Sequence, residues 1–181
     1  MTLDRICVFC GSTLGVRAEY AIAAQNLGYA LSDRGIDLVY GGGSVGLMGK
    51  VAFAVQERGG SVMGVIPKSL QPKEISGDTF GELIVTEDMH ERKKHMFALA
   101  DAFIAIPGGF GTLEELLEII TWRQLGLHSK PIGILNVDGF FDSFLLFVNE
   151  AFLAGFVSET ARNLFVVSTM PEELIERLSN L

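Results

Sequence analysis

The sequence predicts a doubly wound α/β fold, and three features of the chain support this prediction. Short runs of β-branched and apolar residues alternate with longer segments that have helical periodicity. The short runs are apolar almost throughout, which is typical of parallel strands covered by helices on both faces. Every glycine-rich segment follows one of these runs, and ligands bind at such strand ends in sheets of this kind. With 181 residues, the chain has the length of a single domain, 1–181.

The expected elements are about seven strands of a mostly parallel sheet, joined by crossover helices. The strands are predicted at 5–10, 37–40, 61–66, 82–86, 102–106, 131–136 and 164–168. The helices are predicted at 17–33, 46–58, 89–100, 112–125, 141–154 and 171–178. The stretch 67–81 lacks clear periodicity, and a loop of that length is either a functional flap or a solvated connection.

Composition limits the kinds of partner. Apolar residues make up 49% of the chain, and the formal net charge of -8 argues against a general surface for nucleic acids or anionic membranes. An anionic ligand must therefore be held by a local cluster, which fits a small molecule better than a polymer. No segment approaches the roughly 18 uninterrupted apolar residues of a membrane span, so we expect a cytoplasmic protein without a membrane partner.

The sequence does not indicate a metal or a cofactor. Cys7 and Cys10 form a C-x-x-C pattern inside an apolar run, but no second cysteine pair completes a zinc site. We interpret both as buried thiols. The three histidines lack the spacing of known metal-ligand motifs.

Residues 41–46 read G-G-G-S-V-G between a predicted strand and a predicted helix. The pattern matches the dinucleotide fingerprint G-x-G-x-x-G, but the acidic residue expected about 20 positions later is missing. Two interpretations remain: an amide-rich loop that approaches a phosphate or sugar, or a tight turn with no further role. On the first interpretation, Gly43 and Ser44 are candidate substrate-binding residues.

The densest positive charge lies in residues 89–94, M-H-E-R-K-K, at the start of a predicted helix. A solvated helix face and an anion site both explain such a cluster. Arg92 favours the anion site, because a planar guanidinium can bind a phosphate or carboxylate through two parallel hydrogen bonds. Met89 at the start of this helix is a further candidate for contact with substrate.

Residues 107–115, P-G-G-F-G-T-L-E-E, follow an apolar run and open a predicted helix. Main-chain amides at a helix N-terminus lack intrahelical partners and bind anions. Glu115 has two possible roles there. It can cap the helix with Thr112 in a T-x-x-E capping box, or it can act as a catalytic carboxylate. Substitution Glu115→Gln separates these roles, because glutamine serves a capping box but carries no charge.

Two helices carry more apolar surface than one core face requires. In helix 112–125, Ile119 and Trp122 lie on a flank apart from the main apolar stripe. Helix 141–154 and the residue before it are rich in phenylalanine. Deep burial within one chain explains both features, but we favour a homodimer built partly on these helices.

Taken together, the motifs strongly resemble those of the LOG family, the cytokinin riboside 5'-monophosphate phosphoribohydrolases, long labelled lysine decarboxylases. The resemblance rests on residues 41–49 (G-G-G-S-V-G-L-M-G), on 89–93 (M-H-E-R-K) and on the signature P-G-G-x-G-T-x-x-E at 107–115. It covers essentially the whole chain.

The resemblance implies a Rossmann-like nucleotide-binding catalytic domain, usually dimeric. The implied reaction is hydrolysis of the N-glycosidic bond of an adenosine 5'-monophosphate, plain or N6-modified, to a free base and ribose 5-phosphate. The implied catalytic pair is Arg92 and Glu115. The residues implied to line the nucleotide site are Glu74, Lys93, Gly108, Gly109, Phe110, Gly111 and Thr112.

Two other functions are weighed against this one. A non-catalytic nucleotide or molybdenum-cofactor carrier of the same fold would keep the anion site but would not need both Arg92 and Glu115. A pyridoxal-phosphate decarboxylase would need a lysine that carries the cofactor as a Schiff base. No lysine of this chain stands in a recognisable apolar context at a strand end.

Overall fold

The computed structural model describes residues 2–74 and 79–181, except for the side chains of Lys73 and Glu74. Its strands form a single seven-stranded sheet in which every described pairing is parallel. The strands are β1 (Arg5–Phe9), β2 (Asp37–Tyr40), β3 (Val62–Pro67), β4 (Glu82–Thr86), β5 (Ala102–Ala105), β6 (Ile132–Leu135) and β7 (Val166–Ser168). The predicted doubly wound α/β fold is confirmed.

Helices connect the strands. They are α1 (Ala18–Ser32), α2 (Gly46–Glu57), α3 (Gln71–Glu74), α4 (Met89–Leu99), α5 (Phe110–Gln124), α6 (Asp142–Leu153), α7 (Glu159–Arg162) and α8 (Pro171–Ser179), with a short 3-10 helix at Val137–Gly139. Among these described helices, none combines the length and the apolar content that crossing a bilayer would require.

Predicted and observed elements differ mainly at their ends. Every predicted strand is present, and the largest shift is at β7, which begins two residues later than expected. Helices α3 and α7 and the 3-10 helix were not predicted, because segments of three or four residues are too short to show a helical period. Helix α5 begins at Phe110, two residues before the predicted start, which alters the interpretation of Thr112.

The order of the strands locates the binding crevice. The sheet runs β4-β3-β2-β1-β5-β6-β7, so the chain winds outward from β1 to β4 and then returns to the other side of β1 with β5. The direction of winding therefore reverses between β1 and β5, where ligands bind in such sheets. The loops after these strands meet directly, since the amide of Gly11 donates to the carbonyl oxygen of Pro107 over 3.0 Å.

Two apolar layers hold the helices on the sheet. On one face, α1, α2 and α8 pack through buried side chains such as Leu31, Val51 and Leu174. On the other face, α4 and α5 pack through Met96 and Leu116. The inner strands β3, β2, β1, β5 and β6 are largely buried on both sides, which explains why their sequences are apolar without alternation, whereas the edge strands β4 and β7 are only partly buried.

The start of α4 is fixed by its own side chains. The Asp88 carboxylate accepts a hydrogen bond from the amide of Glu91 over 2.8 Å, and the Glu91 carboxylate accepts one from the amide of Glu87 over 2.7 Å. Such reciprocal bonds satisfy amides that lack partners at a helix N-terminus. Because they set the first turn of α4, they also set the direction in which Arg92 leaves the helix.

Candidate active site

A cleft of about 210 Å³ opens at the reversal point between β1 and β5. Loops after β1, β2 and β5 contribute to it, together with the first turns of α2 and α4 and the first two turns of α5. The residues that line it are Val8, Cys10, Gly11, Ser12, Gly41, Met48, Arg92, Gly109, Phe110, Gly111, Thr112 and Glu115. Six of the predicted site residues are therefore brought together here, with Arg92 and Glu115 among them.

Main-chain carbonyl groups hold Arg92 in the wall of the cleft. Its Nε atom donates to the carbonyl oxygen of Val65 over 3.0 Å, and Nη2 donates to that of Gly41 over 3.4 Å. The side chain is 9% exposed. A guanidinium fixed in this way is preorganised, because little side-chain freedom remains to be lost when a ligand binds.

Glu115 faces Arg92 from the second turn of α5. The Oε1 atom of Glu115 lies 3.4 Å from Nη1 of Arg92, and the Glu115 side chain is 13% exposed. Burial raises the pKa of the Glu115 carboxyl to about 7, although the positive charge of Arg92 acts in the opposite direction. A carboxyl group that titrates near neutral pH inside a cleft is a frequent mark of an active site.

The N-terminus of α5 is left uncapped by side chains. Gly109 is the N-cap residue, and no side chain makes a hydrogen bond there. The capping-box interpretation of Thr112 and Glu115 is therefore wrong, since the helix starts at Phe110 and Thr112 already lies within its first turn. The first amides of the helix lack intrahelical partners and line the cleft. They form a ready-made anion site.

The glycines of the signature P-G-G-x-G-T-x-x-E are needed for different physical reasons. A Cβ atom on Gly108 would lie 2.0 Å from Oγ1 of Thr112, so the turn closes only with glycine there. A Cβ atom on Gly109 or Gly111 would meet no heavy atom within 4 Å. The fold does not need those two glycines for space, whereas a ligand that approaches the main chain closely would need them. Phe110 between them is 94% exposed at the mouth of the cleft.

Two predicted site residues of α4 have other neighbours. The sulfur of Met89 accepts a hydrogen bond from Nη1 of Arg92 over 3.4 Å, so Met89 supports the guanidinium. Lys93 directs its ammonium group to Glu114 and Glu118 of α5, and it does not line the cleft. The assignment of both residues to substrate binding stays a prediction.

The remaining predicted residues lie outside the lining of the cleft. Gly43 is buried and Ser44 is half-buried in the loop after β2, where the carbonyl oxygen of Ser44 would lie 2.3 Å from a Cβ atom on Gly49. The side chain of Glu74, at the end of α3, falls outside the part of the chain that the structure describes. Gly108 lies behind the turn and lines an adjacent pocket of about 250 Å³.

The sequence analysis did not select several residues that line the cleft. Gly11 and Ser12 follow β1, and Gly41 follows β2. A signal for the first two was available, because residues directly after the strands that flank a winding reversal face the ligand site. The positions of Cys10 and Met48 could not be read from periodicity, which does not show which buried side chain borders a cavity.

The geometry combines three chemical capabilities in one cleft. Free amides at the start of α5 can bind an anion. A buried carboxyl with a pKa of about 7 can stabilise positive charge or orient a water molecule when it is ionised. A fixed guanidinium lies beside it, at a distance that allows both groups to contact one small molecule.

The comparisons with known proteins agree with this combination. A family model described as "Possible lysine decarboxylase" matches residues 48–178. The cytokinin riboside 5'-monophosphate phosphoribohydrolase LOG of Oryza sativa subsp. japonica is 57% identical over 96% of this chain and 72% of its own length. LOG3 of Arabidopsis thaliana is 55% identical over 96% of this chain and 81% of its own length. The chain belongs to the LOG family.

The fold of this chain also resembles that of a solved structure with a more distant sequence. The molybdenum cofactor binding protein of Rippkaea orientalis superposes with a TM-score of 0.75 at 25% identity, covering 99% of this chain and 98% of that one. This chain and the molybdenum cofactor binding protein therefore share an architecture. Because one fold can serve different functions, the function must be argued from the site.

The decarboxylase description of the family model does not match the residues of this cleft. A pyridoxal-phosphate enzyme needs a lysine amine at the reaction centre. Among the described residues, no lysine lines the cleft that contains Arg92 and Glu115. The nearby Lys93 is held by two carboxylates.

Proposed function

We propose that this LOG family member hydrolyses the N-glycosidic bond of adenosine 5'-monophosphates, including those with an N6 substituent. The observation that carries the proposal is the juxtaposition of Arg92 and Glu115 beside the uncapped start of α5. The sequence relatives, named as cytokinin riboside 5'-monophosphate phosphoribohydrolases, support the same reaction. The products are a free base and ribose 5-phosphate.

The reaction places specific demands on the site. The bond between the ribose C1' carbon and the base breaks, the departing base takes the bonding pair and a proton, and water supplies the hydroxyl on C1'. Positive charge develops on the ribose as the bond breaks. The ionised carboxylate of Glu115 stabilises that charge or orients the attacking water. Arg92 clamps the phosphate, orients Glu115 or assists the departing base.

The 5'-phosphate is the proposed anchor. It binds to the first amides of α5, around Gly109, Gly111 and Thr112, so that binding energy from a remote group positions the ribose. The cleft of about 210 Å³ is smaller than the roughly 300 Å³ at the lower end of ligand pockets, so part of the nucleotide extends beyond it.

Other residues complete the proposed nucleotide site. Phe110 at the mouth and Gly108 behind the turn belong to the same signature loop. Gly43, Ser44 and Met89 are proposed contacts from the loop after β2 and the start of α4. The resemblance also supports a substrate-binding role for Glu74 and for Lys93.

Incubation with nucleotides tests the function directly. The purified protein is mixed with AMP, with N6-isopentenyl-AMP or with adenosine, and free base is separated and quantified. Release of base from either nucleotide, with much slower release from adenosine, is the expected result. Binding of the nucleotides without release of base would support a carrier instead. Equal turnover of AMP and adenosine would refute the phosphate anchor.

We further propose that the enzyme is a homodimer. Helix α6 is strongly apolar, yet none of its residues is buried, and Leu146, Phe147 and Leu153 are mostly exposed. A large exposed apolar surface commonly marks an interface. On α5, by contrast, Ile119 is buried within the chain. At this residue, the second apolar flank of α5 is therefore already covered without a partner subunit.

Sedimentation or light scattering tests the dimer. Substitution Phe147→Glu on α6 is expected to yield monomers, because a charge would be buried in the interface. Phe53→Glu is the matched control, since Phe53 is also exposed but belongs to α2 on the other face of the sheet. A monomeric wild-type protein would contradict the proposal. The cytoplasmic location also stays a prediction, which cell fractionation would test.

A further inference from the structure

The loop after β1 is held between two of the helix starts that border the cleft. The amide of Gly11 donates to the carbonyl oxygen of Pro107 over 3.0 Å, shortly before the start of α5. The carbonyl oxygen of Gly11 accepts hydrogen bonds from the amides of Leu47 over 3.0 Å and Met48 over 3.4 Å, both in the first turn of α2. The main chain of one residue therefore ties the loop to both helices.

These hydrogen bonds determine what the start of α2 can bind. Amides at a helix N-terminus lack intrahelical partners and attract anions. In α2, the amides of Leu47 and Met48 already donate to a carbonyl group of the protein. They hold the loop after β1 in place and are not free for a phosphate, unlike the amides at the uncapped start of α5. The G-G-G-S-V-G segment thus leads into a helix that supports the anion site indirectly.

The residue that follows Gly11 is Ser12, and close packing fixes its main chain. A Cβ atom on Gly46, the first residue of α2, would lie only 2.2 Å from the carbonyl carbon of Ser12. A Cβ atom on Gly11 would lie 3.4 Å from Cα of Gly108. Since consecutive Cα atoms are about 3.8 Å apart, Ser12 lies beside the turn that leads into α5. Packed main chain on two sides therefore sets its position.

The side chain of Ser12 is available to a ligand. Ser12 is exposed and lines the cleft together with the residues of the α5 start, Gly109, Gly111 and Thr112. Among the residues that the structure describes, none forms a hydrogen bond with the Ser12 hydroxyl group. A serine hydroxyl can donate one hydrogen bond, so a bond from Ser12 to a ligand would break no bond within the protein. The cleft thus has a side-chain donor in addition to the free amides of α5.

We propose that Ser12 is a specificity-determining residue that donates a hydrogen bond to the 5'-phosphate of the substrate. The inference rests on the proposed hydrolase function. Ser12 lies beside the turn that precedes α5, whereas Glu115, which acts at the ribose C1' carbon, lies in the second turn of the helix. The hydroxyl is therefore at the phosphate end of the ribose 5-phosphate unit. The contact favours nucleotides over nucleosides, because hydrogen bonds to charged groups are stronger than those between neutral groups.

Binding of ribose 5-phosphate, measured by calorimetry, tests the contact without requiring turnover. For Ser12→Ala, we expect the dissociation constant to rise by about tenfold or more, the usual loss for a hydrogen bond to a charged group. Ser12→Thr keeps a hydroxyl and should bind nearly as tightly as the wild type. Thr13→Ala is the matched control and should bind as the wild type does, because Thr13 is also exposed but lines the adjacent pocket instead of the cleft.

Steady-state kinetics with several substrates identify the group that Ser12 contacts. With AMP, Ser12→Ala should raise KM by about tenfold with a smaller change in kcat, because Ser12 does not contact the reacting atoms. The same factor should be lost with 2'-deoxy-AMP and with 3'-deoxy-AMP, which retain the phosphate. Adenosine has no phosphate, so its slow release of adenine should be equal in Ser12→Ala and the wild type.

Three results would overturn the inference. The first is an unchanged dissociation constant of ribose 5-phosphate in Ser12→Ala. The second is an equal loss in Thr13→Ala, which would indicate a general disturbance of the loop. The third is a loss that disappears with one of the deoxynucleotides, which would assign Ser12 to a ribose hydroxyl.

Two further results keep the inference separate from stability and from the reaction. If thermal unfolding shows that Ser12→Ala does not fold, Ser12→Cys carries the test, because a thiol has a similar shape but is a weak donor. A wild-type protein that binds ribose 5-phosphate through Ser12 but releases no base would refute the proposed hydrolase function and support the phosphate contact.

Discussion

A Cβ atom added to Gly41 would lie 2.3 Å from Nη2 of Arg92. The loop after β2 thus fits closely around the guanidinium, and its carbonyl group accepts a hydrogen bond from the same nitrogen. The first glycine of the G-G-G segment is needed so that the arginine can occupy the wall of the cleft. This gives the segment a physical role that neither the dinucleotide fingerprint nor a simple tight turn provides.

Substitution Gly41→Ala should therefore displace Arg92 and lower kcat/KM by roughly a hundredfold. Gly133→Ala on β6 is the control, because its Cβ atom would also crowd a neighbour, lying 3.0 Å from Cδ1 of Leu174, but far from the cleft. Both variants are expected to unfold at a somewhat lower temperature. Only Gly41→Ala should also show a lower kcat/KM under conditions in which both variants are folded. Equal activity in the two variants would contradict the role of Gly41.

Gly111→Ala should separate stability from activity. The added methyl group would meet no atom within 4 Å, and alanine is favoured over glycine inside a helix, so the free energy of unfolding should rise by about 0.5–1 kcal/mol. The same methyl group would obstruct a phosphate on the first amides of α5, so KM should rise. Chemical denaturation and initial rates measure the two effects. A variant with unchanged KM would exclude this helix start as the anchor.

The rate should depend on pH through Glu115. Its pKa is raised to about 7 by burial, and the protonated acid cannot stabilise positive charge on the ribose. The value of kcat/KM should thus decline about tenfold for each pH unit below 7. A further decline is expected below about pH 6, where the substrate phosphate gains a proton. A profile that is flat from pH 8 to pH 5 would show that Glu115 does not act as an ionised carboxylate.

Tyr40 offers a test of the core that is independent of the reaction. Its hydroxyl group is buried at the end of β2 and has no hydrogen-bond partner among the described residues. An unsatisfied buried polar group costs about 1–3 kcal/mol, so Tyr40→Phe should raise the free energy of unfolding by up to that amount and leave kcat unchanged. In the control Tyr29→Phe, hydrogen bonds to Gln25 and Glu57 are lost, so no gain in stability is expected.

The sequence allowed the layout of the fold to be predicted well. Apolar runs without alternation identified every strand, and the strands and the longer helices lie within two residues of their predicted bounds. Periodicity could not reveal α3 or α7, which are a single turn each. It also could not locate the start of α5, because the residue that caps the helix is Gly109, not Thr112 as expected for a helix capped by a polar side chain.

The site was predictable in part. Motif resemblance placed Arg92 and Glu115 in one site, and the structure brings their side chains within 3.4 Å. The same resemblance did not show that Lys93 faces α5, since adjacent residues on a helix reach different neighbours and only packing decides which. Cys10, after β1, and Met48, in the first turn of α2, border the cleft because distant segments converge there, a relation that no local pattern encodes.

Release of free base by the wild-type protein and by Glu115→Gln, measured side by side with N6-isopentenyl-AMP, is the most direct test of the account. Glutamine preserves the shape of the side chain but removes the charge, and no capping bond is lost, so the variant should fold normally. We predict that the wild type releases base and that the rate of release by the variant is lower by at least about a thousandfold. Comparable release of base by both proteins would contradict the claim that an ionised Glu115 beside Arg92 drives the hydrolysis.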